Sequence, residues 1–369
     1  NAGKPRDLVE YSLAKEFRED LPQVIRPDII LTGEGSGMAI TELDSVPGGV
    51  GATAWFNQVY SELAQDVIGG PRGMLDGFAS IFNGDRVDLL VSEESADYRP
   101  EMEYLAKTLN ARLPDPAMEQ FRVRRAEDAD HDLAPSIYRF FELFDLPNIP
   151  AAPRIMEANR RGETRVTPPF KPLFEEKLWL ALLHGKPLEE YWRLVLGSRY
   201  LADLQEVVPF SWVVDPAPVP HHAVIPRLQI QDWLELAEFS QRDRELVLKI
   251  SGFSEEAWGS RGVTIGQDVP RQEWREAIEH AIQHFPQGPY VLQEFHKARI
   301  VEHPVWNDDT EELETLRGRV RLTPYYFVPD PTGNETTLAG VMATIVPADK
   351  KVIHGMSDAV IVPCRAGRS

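Results

Sequence analysis

Two groups of residues in this sequence have the types and spacing that chemistry on phosphates needs. The first is a strand-like run, Glu245-Leu246-Val247-Leu248-Lys249-Ile250, followed by Gly252, by Gly259-Ser260-Arg261-Gly262 and by a second apolar run, Val263-Thr264-Ile265. Loop amides and a lysine at the end of a strand can meet anionic oxygens. Taken alone, the pattern is more often an ordinary surface hairpin. Further on, Leu292-Gln293-Glu294-Phe295 offers a strand edge whose backbone and acid could hold an adenine and ribose, or simply a half-buried strand. The second group is Arg26-x-Asp28 followed by Glu42-x-Asp44. Carboxylates at i and i+2 of a strand share a face, so Glu42 and Asp44 can converge on one cation with Asp28 arriving from a neighbouring strand. Three oxygen donors suit magnesium better than zinc. The plainer reading is a solvated acidic face in an acidic chain.

The elements that must carry these groups can be read from the apolar periods. Charges and apolar residues alternate at helical spacing from Asp7 to Asp20, up to Pro22. Val24 to Leu31 and Met38 to Asp44 read as a hairpin around Gly33-Glu34-Gly35-Ser36-Gly37. Pro47-Gly48-Gly49-Val50-Gly51 is then a turn or an anion-cradling loop ahead of a helix with Trp55 and Phe56. From Asp85 to Asn148 the order is strand, helix, strand: Val87-Asp88-Leu89-Leu90-Val91, Pro100 to Leu109, and Phe121-Arg122-Val123. That order implies a small α/β lobe. Tyr138, Phe140, Phe141 and Phe144 have helical spacing and read as core, with Arg139 a candidate substrate contact.

A proline-rich stretch from Pro147 to Pro172 precedes a helix from Leu173 to Leu183, and Pro216-Ala217-Pro218-Val219-Pro220 marks a domain boundary. Beyond it come a helix from Gln272 to His284, the strand Tyr290 to Phe295, and strands near Val320 to Val328 and Ala339 to Ile345, an α+β antiparallel texture.

Composition limits the function. The chain has 369 residues, 43% hydrophobic and 26% charged, with no apolar run long enough for a membrane span. Its formal charge of -19, from 58 acidic and 39 basic residues, argues against a nucleic-acid partner, since no basic stripe overrides it. One cysteine, Cys364, cannot form an internal disulfide, and with no leader at the start the expected location is the cytoplasm. The opening Asn1-Ala2-Gly3 reads as an expression scar. Cys364 is not expected to be catalytic, His221-His222 is expected at the surface, and His354-Gly355-Met356-Ser357-Asp358 is either a polar turn or part of a substrate cleft.

Together, Leu246-Val247-Leu248-Lys249, Gly259-Ser260-Arg261-Gly262-Val263, Val291-Leu292-Gln293-Glu294 and Ile40-Thr41-Glu42-Leu43-Asp44 resemble the ATP-grasp superfamily. The carboxylates precede the lysine and glycine loop, an order that resembles the circularly permuted ATP-grasp proteins related to glutathionylspermidine synthase. The resemblance implies a mixed α+β and α/β chain. Residues 1–70 would be the permuted metal-binding part of the core and 71–160 a pre-ATP-grasp α/β lobe. A linker and helical segment would follow over 161–240, an antiparallel lid over 241–296 and the remaining core strands over 297–369. It further implies that Lys249 and Lys177, the latter in Glu175-Glu176-Lys177-Leu178, bind ATP phosphates under a loop of Ser260, Arg261 and Gly262. Gln293 and Glu294 would sit at the adenine, Asp28, Glu42 and Asp44 on magnesium, and Arg321 facing the transferring phosphate. The family usually ends its metal motif in Glu-x-Asn, and Asp44 here adds a negative charge.

The implied activity is ATP- and magnesium-dependent joining of a small-molecule or peptide carboxylate to an amine through an acyl phosphate, with Arg321 and Lys249 stabilising the transferred phosphoryl group. A catalytically silent module that binds nucleotide or a partner is the competing reading. A kinase that stops at phosphoryl transfer is not separated from the ligase by sequence. The identity of the carboxylate and amine and the oligomeric state stay open.

Overall fold

The computed structural model describes residues 3–33, 37–64, 66–115, 117–257, 262–329, 335–353 and 359–367. The chain divides into two compact units: unit 1 comprises Asn1–Pro5, Ile29–Glu42 and Glu176–Ile300, and unit 2 comprises Arg6–Asp28, Leu43–Glu175 and Val301–Ser369. The two strands expected as a hairpin form at Val24–Leu31 and Met38–Asp44. The division between the units passes through both of them, after Asp28 and after Glu42.

Unit 2 contains a parallel sheet in the order Phe121–Arg125, Val87–Val91, Ser136–Phe140, Arg165–Thr167. Its two central strands are buried at every residue, as strands covered on both faces must be. The charge this brings inside, Asp88, is neutralised by Arg122 at 2.9 Å and Arg124 at 3.0 Å and also accepts the Ala134 amide at 3.0 Å. Tyr138 and Phe140 thus lie on a strand, not a helix, although Tyr138, Phe140 and Phe141 are core residues as read. In a strand buried on both faces no position faces water, so the period-two signal vanishes.

The helix Arg99–Asn110 buries Met102, Leu105, Ala106 and Leu109, a stripe at helical spacing, and begins with Pro100 in its first turn. Asn110 ends it and ties it to the sheet, because its side-chain oxygen accepts the amides of Gln120 and Phe121 at 3.0 and 2.9 Å. The helices Val50–Ser61 and Gly73–Ser80 share one apolar core with Tyr325, Phe327, Ala339 and Met342 from the strands Glu312–Phe327 and Thr337–Pro347. These two strands pair antiparallel from Gly318 opposite Pro347 to Phe327 opposite Thr337, close to the expected bounds, and Val360–Pro363 extends the sheet.

Unit 1 is built on an antiparallel sheet in the order Ser211–Val213, Tyr290–Glu294, Leu246–Ile250, Val263–Ile265. The helix Arg271–His284 buries Trp274, Ile278 and Ala281 in one core with Leu246, Leu248, Ile250, Tyr290 and Leu292. Pro216 to Pro220, read as a boundary, lies inside this unit, where Trp233 Nε1 donates to the Asp215 carbonyl at 2.8 Å.

The helix expected from Leu173 to Leu183 is broken into a 3-10 turn, Pro172–Glu175, and an α-helix, Leu178–Leu182. In unit 1 the amides of Lys177 and Leu178 donate to the Ser251 carbonyl at 2.8 Å and to Ser251 Oγ at 3.0 Å, so they are not available to a continuous helix. Among the described residues, no helix is long and apolar enough to cross a membrane.

The glycines of Pro47 to Gly51 are fixed by close packing. A Cβ at Gly48 would lie 2.4 Å from the Tyr98 ring, one at Gly51 2.2 Å from the Glu101 carbonyl oxygen, and Gly49 has φ +86. The anion at this loop is the chain's own Glu101, whose carboxylate accepts the amides of Gly49 at 2.8 Å and Ala52 at 3.1 Å at the start of the Val50–Ser61 helix. Glu101→Ala leaves these buried donors unpaired and should cost about 1–3 kcal/mol of stability. Denaturant unfolding with an unchanged midpoint would contradict this role.

Candidate functional site

In unit 1 the sheet register fixes where Lys249 reaches. Val291 is opposite Lys249 and Gln293 opposite Val247, so Lys249 and Gln293 are diagonal neighbours on one face. Lys249 Nζ donates to Gln293 Oε1 at 2.9 Å and to the Thr41 carbonyl at 3.1 Å. Gln293, only 2% exposed, donates in turn to Ser211 Oγ at 3.1 Å, and Ser211 donates to the Pro209 carbonyl at 2.9 Å. A row of hydrogen bonds across three strands therefore sets the lysine's position.

The second lysine is held differently. Lys177 Nζ pairs with Glu42 Oε1 at 2.8 Å and donates to the Ala257 carbonyl at 2.6 Å. Beneath it, Ser251 Oγ donates to the Glu176 carboxylate, which also pairs with the Lys4 ammonium in a buried contact. Two ammonium groups are thus fixed on two segments of unit 1.

Glu294 lies at the other end of the Tyr290–Glu294 strand, with its carboxylate on Arg227 Nη1 at 2.8 Å. The Arg227 guanidinium packs 4.1 Å from the centroid of the Phe210 ring, and the Glu294 amide donates to the Phe210 carbonyl at 2.9 Å. Gly262 returns the glycine loop to the sheet: its amide donates to the Glu256 carbonyl at 2.9 Å, and a Cβ there would lie 2.7 Å from Ile250 Cγ2. Ser260 and Arg261 lie outside the described residues, as does His354 to Asp358.

In unit 2, Arg26 gathers the carboxylates. Its Nε donates to Asp28 Oδ1 at 3.0 Å, one terminal nitrogen pairs with Asp44 Oδ2 at 3.0 Å, and the other donates to the Gly48 carbonyl at 2.9 Å. Arg321 Nη1 meets Asp28 Oδ2 at 3.0 Å. The Arg321 Nε is buried without a hydrogen-bond partner. Tyr325 donates to the Gly48 carbonyl at 2.8 Å, and burial pushes its hydroxyl up to about 12. Burial likewise raises the Glu101 carboxyl, opposed by the Gly49 and Ala52 amides and by Arg26.

The three carboxylates expected on magnesium are divided between the two units. Asp28 and Asp44 belong to unit 2 and share Arg26, whereas Glu42 belongs to unit 1 and pairs with Lys177. Among the described residues, no group of three or more His, Cys, Asp and Glu side chains is arranged to hold a metal ion.

Arg139 is also corrected. It is 1% exposed and pairs with Glu175 at 2.7 Å, donating as well to the Pro168 and Pro169 carbonyls at 3.2 Å, so it braces the interior of unit 2 and is closed to a substrate. His221 and His222 are exposed, as expected. Burial pushes the Cys364 thiol up to about 11, which disfavours a thiolate nucleophile. Sequence reasoning missed the role of Arg26 as the bridge, for which its i, i+2 spacing to Asp28 was a usable signal. It also missed Ser211, Thr41 and Glu101, which carry none.

No family model matches the chain, and no curated protein matches it. Among solved structures it is similar to a glutathione synthetase like-effector from Globodera pallida, with a TM-score of 0.52 at 9% identity, over 97% of this chain and 79% of that one. It also matches a provisionally named gamma-glutamylcysteine synthetase from Methylobacillus flagellatus KT, with a TM-score of 0.48 at 13% identity, over 93% of this chain and 80% of that one. The mixed α/β architecture is therefore shared with the glutathione synthetase like-effector.

The aromatic end of unit 1 gives a pH test. His184 stacks near Phe210 at 4.7 Å and shares a hydrogen bond with the Val208 carbonyl, and burial holds its imidazole below the ordinary 6.5. The unfolded chain therefore takes up a proton near 6.5 that the folded chain resists, so the contribution of His184 is full above that pH and is lost as pH falls toward the lowered folded value. Unfolding midpoints at about pH 7.5 and about pH 5.5 should fall further on acidification in the wild type than in His184→Phe. Equal falls in both would contradict the assignment.

Proposed function

We propose that this protein is an ATP- and magnesium-dependent carboxylate-amine ligase of the circularly permuted ATP-grasp kind, acting on a small-molecule or peptide carboxylate and an amine. The observation that carries the reading is the pair of fixed ammonium groups in unit 1, Lys249 on the Leu246–Ile250 strand and Lys177 above Ser251. The fold shared with the glutathione synthetase like-effector agrees with it. In this reading the lysines hold the phosphates of ATP, Gln293 and Glu294 border the adenine, and the loop ending at Gly262, with Ser260 and Arg261, covers the phosphates. The single cysteine agrees with work in the cytoplasm.

A carboxylate oxygen of the substrate attacks the γ-phosphorus, and the bond to ADP breaks. The amine nitrogen then attacks the acyl carbon, phosphate leaves and the nitrogen loses a proton. Arg321, with a buried nitrogen still unpartnered, is the group of unit 2 assigned to the charge on the transferred phosphoryl group. Asp28 and Asp44 have the oxygen donors magnesium prefers, and they already converge on one cation, Arg26; Glu42 is the third donor in this reading. Magnesium would supply neutralisation of the phosphate charge.

A catalytically silent nucleotide- or partner-binding module is the second reading. It is favoured by the engagement of Asp28 and Asp44 with guanidinium groups of the same unit.

Thermal unfolding of wild type and Lys249→Ala, each with and without Mg-ATP, separates the two. At about one hundred times its dissociation constant, ATP should add roughly 2.7 kcal/mol to the wild type. The shift, not the starting stability, is compared, because removing Lys249 leaves Gln293 Oε1 without its donor. A shift that the variant loses, followed by ADP release that needs both a carboxylate and an amine, supports the ligase. A shift without ADP release under any substrate pair supports the silent module, and no shift at all contradicts both nucleotide readings.

A further inference from the structure

The four oxygens of Asp28 and Asp44 are all engaged within unit 2. Asp28 gives Oδ1 to Arg26 and Oδ2 to Arg321, each at 3.0 Å. Asp44 gives Oδ1 to the Val46 amide at 2.8 Å and Oδ2 to Arg26 at 3.0 Å. Two guanidinium groups thus sit on these two carboxylates. Asp28 is 2% exposed, so its charge cannot be left to water. Among these three donors, Arg26, Arg321 and the Val46 amide, it is Arg26 that spans both carboxylates.

Arg26 is also held more firmly than a surface arginine. Each of its three nitrogens has a fixed acceptor: Asp28, Asp44 and the Gly48 carbonyl. That carbonyl is pinned by Tyr325, and the adjoining Gly49 amide is pinned by Glu101. The fork geometry of a guanidinium suits it to bridge two carboxylates in this way. A second aspartate at position 44, where the resembled motif has asparagine, provides the charge that this bridge uses.

We propose that the guanidinium of Arg26 is a resident cation on the Asp28–Asp44 pair, and that a divalent metal binds these carboxylates only by displacing it. The inference rests on the proposed function for its placing of the metal on Asp28 and Asp44, but it makes its own claim: the arginine and the metal exclude each other. Displacement would also free a guanidinium for an incoming anion. The set thus exchanges one cation for another.

The test uses the full chain without nucleotide, and Mn2+ as the probe, counted by its electron paramagnetic resonance signal. Arg26→Met should bind Mn2+ at least about tenfold more tightly than wild type, because the guanidinium that occupies one oxygen of each carboxylate is gone. Arg26→Lys, which keeps the charge but loses the fork, should fall between the two. Because Arg26→Met also removes ion pairs of the fold, the wild type provides an independent reading: titration with Mg2+ should shift the Arg26 Nε–H resonance in a nitrogen-15 spectrum. Mn2+ affinity in Arg26→Met equal to or weaker than wild type, or an Arg26 resonance indifferent to saturating Mg2+, overturns the proposal. Since no nucleotide is present, these outcomes are independent of whether ATP binds or ADP is released. A failed ligase assay with the expected Mn2+ order sinks only the ligase reading, and a working ligase with no such order sinks only the exchange.

Discussion

A charge carried into a packed interior must meet a fixed partner there, and such partners are found within each of the two units. In unit 1 the ammonium of Lys249 rests on Gln293 Oε1 and the Thr41 carbonyl, and the position of Gln293 is set in turn by Ser211 on the next strand. The sheet register is what makes this possible, since a shift of one residue would put Gln293 on the opposite face from Lys249. Lys177 depends on the carboxylate of Glu42 and on the break in the chain at Glu176, where Ser251 captures two backbone amides. The proposed phosphate contacts are therefore held in place before any ligand arrives, which is how preorganised charge contributes to phosphoryl transfer.

In unit 2 the same constraint is met with guanidinium groups. Asp88 is neutralised by Arg122 and Arg124, Glu175 by Arg139, and Asp28 by Arg26 and Arg321. The first two networks are closed and brace the parallel sheet and its surroundings. The third is tied to a loop of three glycines that admits no side chain beyond hydrogen, and the helix that follows this loop is capped by Glu101 from another helix. A carboxylate of the chain thus fills the anion-binding end of that helix, which gives the glycine motif a structural role.

Where the sequence was legible, a local period or spacing carried the information. Met102, Leu105, Ala106 and Leu109 mark their helix, the runs at Val24–Leu31 and Met38–Asp44 mark their strands, and the i, i+2 spacing placed Arg26 beside Asp28. What it hid depended on contacts far apart in the chain. Ser136–Phe140 is buried on both faces and shows no alternation. The helix Glu189–Val207 buries only Leu201, so it has no apolar stripe to read, and Gly197 interrupts it at φ 78. The segment around Lys177 has good helical spacing yet is opened by Ser251, more than seventy residues on. Of the expected site residues, Lys249 meets Gln293, Asp28 and Asp44 share Arg26, and Glu42 pairs with Lys177.

The central claim is that the two lysines of unit 1 mark a nucleotide site, and hydrogen exchange reads it most directly. Amide exchange would be compared with and without saturating Mg-ATP, peptide by peptide. The account predicts slower exchange in Leu246–Ile250, in Tyr290–Glu294 and around Lys177, with little change in the parallel sheet of unit 2. Unchanged exchange across those three segments, under conditions where ATP is bound, would contradict it.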